Sequence, residues 1–421
     1  MRPRTFTIVL IAALATAGCS ATASPPTPAP SSATSAAPAT TIPRAGASPS
    51  ADPAPASSPV PAHTSDPTGA ADVPGYRGSS SRTGVMPGPG PIAAPAVRWT
   101  FQATAPIGSQ PAVAGGRVLL VVTDGTVVSL DLSTGATAWT TKLGVDAHAS
   151  PAVAHGLLLV GADDGVHALD TSTGRQRWAQ TAPGAVRGAP AILGDEAVFA
   201  SLSGHAVGLD VLTGKVRWTV PLGAPNDTSV AAVSDTAVVG LTDGSVVALD
   251  PSNGTVKWRR TIDAGGRIGT PAIANGSVFL ATLDEGGPGT RHITAVDLTT
   301  GKVEWRFASP DDQPSYTPAV ANGLAITEGE ASRVTALDAS TGAVRWQTAE
   351  PGVLEIVPTL VGRTMYGASN GMWAFALDAG SGAELWRLPI KGTPYAPAIT
   401  GGLELLPTDV GMLYAIAGAV P

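Results

Sequence analysis

The chain has 421 residues, with 25 lysines and arginines against 32 aspartates and glutamates, for a formal net charge of -7. Charged residues make up only 14% of it and no basic run occurs, so the clustered cations that a phosphate backbone requires are missing and a nucleic-acid partner is excluded. A hydrophobic content of 43% suffices for a full-sized core, whereas 50 glycines and 38 prolines imply many turns and few long helices, and the single cysteine, Cys19, rules out an intrachain disulfide or a cysteine-based metal cluster.

Arg2 and Arg4 precede an uncharged, mostly apolar run from Phe6 to Ala17, too short to span a bilayer, and Gly18-Cys19 follows. This pattern reads as a secretory signal over residues 1–18. The position of Cys19 resembles a bacterial lipobox, in which the new N-terminal cysteine carries lipid, although Thr16 stands where that pattern usually has Leu. Without Arg2 and Arg4 the balance is 23 basic against 32 acidic groups. From Cys19 to Val73 the chain is rich in Ala, Pro, Ser and Thr and has no aromatic residue, so this stretch is expected to be a disordered linker. At about 3.1 Å per residue it reaches on the order of 170 Å when extended.

The remainder, residues 74–421, is one motif repeated. Asp131, Thr134-Gly135 and Trp139 return as Asp170, Thr173-Gly174 and Trp178, then as Asp210, Thr213-Gly214 and Trp218. Four more copies end at Trp258, Trp305, Trp346 and Trp386, while Trp99 has no such turn before it. Successive tryptophans from Trp99 onward are 40, 39, 40, 40, 47, 41 and 40 residues apart. Each period holds a proline-led apolar piece such as Pro151-Ala-Val153, an aliphatic run such as Leu157 to Val160, a turn, an alternating piece such as Val166 to Asp170, and the tryptophan segment. These are four short antiparallel strands joined by hairpin signals, and such a sheet buries both faces only when copies stack around an axis. The predicted fold is therefore an all-β, eight-bladed propeller. Val97 to Phe101 supplies only an outer strand, and the C-terminal pieces Pro397 to Ile399, Leu403 to Leu406 and Met412 to Ile416 lack a tryptophan strand, so the two ends are expected to complete one blade.

In each copy Asp accepts backbone N–H groups, Gly supplies a positive φ, and the Thr or Ser hydroxyl adds a local bond. Full burial of a tryptophan ring contributes on the order of 4–6 kcal/mol. The pattern resembles the tryptophan-docking motif of the pyrroloquinoline-quinone-like propellers, Ala-x-Asp-x-x-Thr-Gly-x-x-x-Trp. Ala168, Ala248, Ala295, Ala336 and Ala376 hold its first position, with Ser129 and Gly208 in the other two copies. Gly75-Tyr-Arg-Gly78 through Arg82-Thr-Gly84 looks like the leading segment of the same family. The architecture is similar to that of the propeller lipoprotein of the outer-membrane protein assembly machinery. Dehydrogenases of the wider family hold a quinone with a vicinal disulfide, a calcium ion and a catalytic Asp, and the propeller has no cysteine for that disulfide. Asp124-Gly125, Asp164-Gly165 and Asp243-Gly244 read as hairpin turns because the oxygen-rich loop of a calcium site is not there.

What varies between copies carries more information about binding than what recurs. Three residues before each blade's Pro, or Val230 in its place, stand Gly108, His148, Arg187, Asp227, Ile268, Ser315, Glu355 and Pro394, and one residue later come Tyr316 and Tyr395. They lead into the innermost strands and are expected at one mouth of the central channel, with His148, Arg187, Asp227, Tyr316, Glu355 and Tyr395 as candidate binding residues. The expectation is an exported, lipid-anchored, monomeric binding or scaffolding propeller with a protein or cell-envelope partner, no cofactor and no enzymatic activity. A sensor for a small ligand or cell-wall glycan is the alternative, and a quinoprotein oxidoreductase is a third reading. The longer fifth repeat, Asp284 to Arg291, is either a second contact loop or a tolerated insertion.

Overall fold

The computed structural model describes residues 70–283, 291–308, 316–329, 332–350, 357–370 and 373–420. Cys19, the signal segment, nearly all of the linker and most of the fifth-repeat insertion lie outside the described residues. The described part is a ring of eight antiparallel sheets with no α-helix. Blade 1 shows the plan. Its innermost strand, Ala112–Ala114, pairs with Arg117–Val121, which pairs with Thr126–Asp131 and then with the outermost strand, Thr137–Lys142. The Asp-Gly turns behave as hairpins, since Asp124 Oδ1 accepts the Thr126 N–H at 3.0 Å and Asp243 Oδ1 that of Ser245 at 3.0 Å.

Strands alternate their side chains between the two neighbouring blades, as the period of two requires. Leu119 and Val121 of blade 1 thus pack with Leu158, Val160 and Ala162 of blade 2 in one buried cluster. Closure is as the tryptophan count implies. Ala93–Gln102 runs antiparallel to Met412–Ala419, with Trp99 opposite Ala415, and completes the blade formed by Ala398–Thr400 and Leu403–Pro407.

The repeated motif joins consecutive blades. Asp131 Oδ1 accepts the N–H groups of Ser133 and Thr134 at 3.1 and 3.0 Å and both of their hydroxyls, which sets a corner where Gly135 has φ +71°. Trp99 of the preceding blade lies against Gly135, where an added Cβ would sit 2.6 Å from the ring, and its Nε1 donates to the Leu132 carbonyl at 3.1 Å. The same bond recurs at Trp139, Trp178, Trp218, Trp258, Trp305 and Trp346, each onto the following blade. Trp386 ends the circuit by donating to the Pro91 carbonyl at 2.7 Å. Trp218, Trp258, Trp305 and Trp386 are buried, but Trp99, Trp139, Trp178 and Trp346 are only half-buried, so the full-burial energy applies to four of the eight rings.

Composition places Val73 at the end of the linker, yet it is fully buried and exchanges two 2.9 Å hydrogen bonds with Val113. It begins a segment that visits all eight innermost strands in order. Val153 donates to the Pro74 carbonyl, Ile192 to Ser80 Oγ, and Ala232, Ile273, Val320 and Leu360 to the carbonyls of Ser80, Ser81, Thr83 and Gly84, before Gly88 donates to Ile399. Each innermost strand has one edge in its sheet and one facing the channel, where an unpaired N–H in a narrow space is costly. Residues 73–88 satisfy those edges and close the channel as a plug.

Candidate binding site at the channel mouth

Because the plug blocks the channel, its mouth is a pit of about 300 Å³. Gly108, His148, Arg187, Asp227, Tyr316 and Tyr395 all line it, so the positions before the inner strands do converge on one site. Ile268 does not. It is 1% exposed within the core of blades 4 and 5, and Arg267 takes its place in the pit wall. The cause is a two-residue strand, Arg267–Ile268, which pairs with Leu283 and Thr282 and shifts the side chain facing the channel by one position. Pro394 is also absent from the lining; it bridges to Thr408 and leaves Tyr395 facing the pit. Ser315 and Glu355 lie outside the described residues.

Pattern reading missed the floor, which is formed by Tyr76, Arg77 and Gln110. Their only sequence signal is the leading segment, whose course through the channel no local pattern reveals. It also missed a ring of hydroxyls just before the inner-strand prolines. Gln110 N–H donates to Ser150 Oγ, Ala189 N–H to Ser229 Oγ and Ser229 N–H to Thr270 Oγ1, each at 3.0 Å, and Thr317 Oγ1 donates to the Thr270 carbonyl at 2.5 Å. These groups stitch neighbouring blades at the pit floor and are committed to structure.

Charge at the mouth is arranged in pairs. Arg187 Nη2 lies 3.0 and 3.2 Å from the two carboxylate oxygens of Asp163, and Arg267 holds Asp227 through Nη2 at 2.7 Å and Nε at 3.1 Å. His148 is held below the usual imidazole range, chiefly by burial and next by the positive charge of Arg187, so it favours the neutral form. Asp146, His148 and Asp163 bring three ligand atoms within 4.8 Å of one another. Asp163, however, is already held by the Arg187 guanidinium.

An all-β ring of eight tryptophan-docked blades with a plugged channel defines a closed β-propeller whose outer architecture is fixed by its repeats. The family model for the outer membrane protein assembly factor BamB matches residues 93–149, 123–287 and 289–415, and the chain belongs to this PQQ-type repeat family. Among solved structures, BamB from Moraxella catarrhalis is similar at 19% identity and a TM-score of 0.66, covering 77% of this chain and 100% of that one. A quinohemoprotein alcohol dehydrogenase from Comamonas testosteroni matches at 16% identity and TM-score 0.64, covering 83% and 81%. A europium-containing methanol dehydrogenase matches at 13% and 0.66, covering 82% and 98%. At these identities the likeness is one of fold. No curated protein is significantly similar in sequence.

The dehydrogenase neighbours raise the question of a quinone with its metal, and the described pit residues do not fit that pair. Of the group Asp146, His148 and Asp163, the last is engaged by the Arg187 guanidinium, and the Asp227 carboxylate in the pit wall is engaged by Arg267; each guanidinium competes directly with a divalent cation. The only cysteine, Cys19, lies outside the propeller.

Proposed function

We propose that this protein is an envelope-anchored, non-enzymatic propeller lipoprotein that holds a protein partner at the channel mouth, with residues 1–18 as its signal, Cys19 as its lipid attachment point and the following linker as a tether. The observation that carries this reading is the plugged pit, whose variable, partly exposed residues stand on an otherwise uniform scaffold. Tyrosines and arginines are the side chains that most often anchor protein interfaces, and Arg187, Tyr316 and Tyr395 supply them here. Membership in a family named for an outer membrane protein assembly factor supports partner binding over catalysis. A small-ligand or glycan sensor is the second reading, favoured by the concave volume of the pit. Affinity capture from solubilised envelope, comparing the full chain with an Arg187→Ala, Tyr316→Ala, Tyr395→Ala triple variant, tests the proposal. Capture of a specific partner is expected and should fall sharply in a variant that still melts normally. Unchanged capture by the well-folded triple variant moves the site to another face, and Cys19→Ala should shift the protein from the membrane to the soluble fraction.

A further inference from the structure

Two guanidiniums lie within the channel with no counter-ion among the described residues. Arg77 and Arg82 are each 1% exposed, and among the described residues neither touches a carboxylate. Burial lowers Arg77 to about 10 and Arg82 to about 9, so both remain charged at neutral pH. Arg82 spends all five N–H bonds on the carbonyls of Val230, Tyr76, Ser79, Ala189 and Pro190. Arg77 spends three, on Arg82, Thr317 and Pro318, which leaves two uncommitted, and the residue borders the pit floor.

Carbonyl dipoles solvate a cation but do not cancel its charge. Two positive charges in a low-dielectric interior therefore project their potential through the nearest aqueous opening, and for Arg77 that opening is the pit. The wall adds a donor of its own. Arg187 is tied to Asp163 through Nη2, yet its Nε is buried with no partner. An orphaned buried donor costs about 1–3 kcal/mol, which an incoming oxyanion would recover.

We propose that the pit seats a carboxylate from an acidic segment of the protein partner, held between Arg77 and Arg187. This assignment rests on the reading of the mouth as a protein-binding face and names the chemistry that face recognises. The pit is local in its preference, because the chain as a whole carries -7 and repels acidic peptides elsewhere. A guanidinium fork matches the planar carboxylate in geometry as well as charge.

Fluorescence anisotropy with a labelled tetra-aspartate peptide, titrated with the full chain, tests the assignment against a tetra-asparagine control. The aspartate peptide is expected to bind at least about tenfold more tightly, and to weaken between about 50 and about 300 mM salt as an ion-paired contact does. Arg187→Gln should weaken it by about fivefold or more without lowering the melting temperature. Arg177→Gln, on the outermost strand Gln176–Thr181 of blade 2, should leave it unchanged. Equal binding of the two peptides, or unaltered binding by Arg187→Gln, overturns the proposal. So does inorganic phosphate displacing the peptide better than acetate does, which would assign the pit to phosphate. The peptide readout needs no natural partner, so failure of the pit chemistry and failure of envelope capture are separate results.

Discussion

Two glycines with nearly the same backbone separate the contribution of tryptophan docking from that of turn geometry. Gly174, in the corner of blade 2, has φ +71°, and Gly156, in a turn of the same blade, has φ +73°. Replacing either with Ala forces a Cβ into the left-handed region at a cost of about 1–2 kcal/mol. The two differ in surroundings. Nothing lies within 4 Å of a Cβ at Gly156, whereas at Gly174 it would sit 2.4 Å from Trp139 Cε3 and 2.8 Å from Thr141 Oγ1. Carbon atoms rest at about 3.5–4.0 Å, so the ring must retreat by about 1 Å or more. That strains the Trp139 Nε1 bond to the Thr171 carbonyl, 3.0 Å long, worth about 1 kcal/mol, and adds an overpacking cost of about 1–3 kcal/mol. Gly174→Ala should therefore lose about 3–6 kcal/mol and Gly156→Ala about 1–2 kcal/mol. Urea denaturation followed by tryptophan fluorescence measures both, and near-UV dichroism should change only for Gly174→Ala. Equal losses from the two substitutions would refute docking as the element that fixes the corner.

Removing residues 1–104 deletes the plug and the outer strand of the closing blade, exposing the edge of Met412–Ala419 and the channel-facing N–H groups. A chain starting at Ala105 should melt earlier and aggregate, while one starting at Ala70 should match the full chain; equal melting of all three removes the closure argument. Glu404 is buried with neither carboxylate oxygen hydrogen-bonded, and burial raises its carboxyl to about 8. Between about pH 4.5 and about 8 the folded state keeps a proton that the unfolded chain has released, so stability falls as pH rises, by about 1.4 kcal/mol per unit. Glu404→Gln should remove this contribution to the slope, leaving the one of the same sign from the likewise buried Glu328, and be about 3 kcal/mol more stable than the wild type at pH 7. Parallel pH profiles of melting temperature for the two proteins would show that Glu404 contributes nothing to the slope.

The repeats alone settled much of this molecule. A spacing near 40 residues, a hairpin signal between short apolar runs and a turn-plus-tryptophan motif specify local geometry, and a four-stranded unit that cannot bury itself dictates stacking. The mismatch between Trp99 and the C-terminal strands even specified how the ring closes. Convergence of His148, Arg187, Asp227, Tyr316 and Tyr395 was legible because every repeat carries the same strand order, so equivalent positions fall on one rim. Three features were decided only by the tertiary structure. The substitution of Arg267 for Ile268 in the pit wall depends on a two-residue pairing with Thr282 and Leu283 that no periodicity marks. The half-burial of Trp99, Trp139, Trp178 and Trp346 is not marked by the motif, which the four buried tryptophans share. The plug depends on contacts far apart in sequence, such as that of Arg77 with Pro318, 241 residues away. Local propensity reads hydrophobic period and turn chemistry; it cannot tell that Arg77 will meet carbonyls leading into blade 6, or Arg82 those leading into blades 3 and 4, because those carbonyls come near the plug only once the ring is closed.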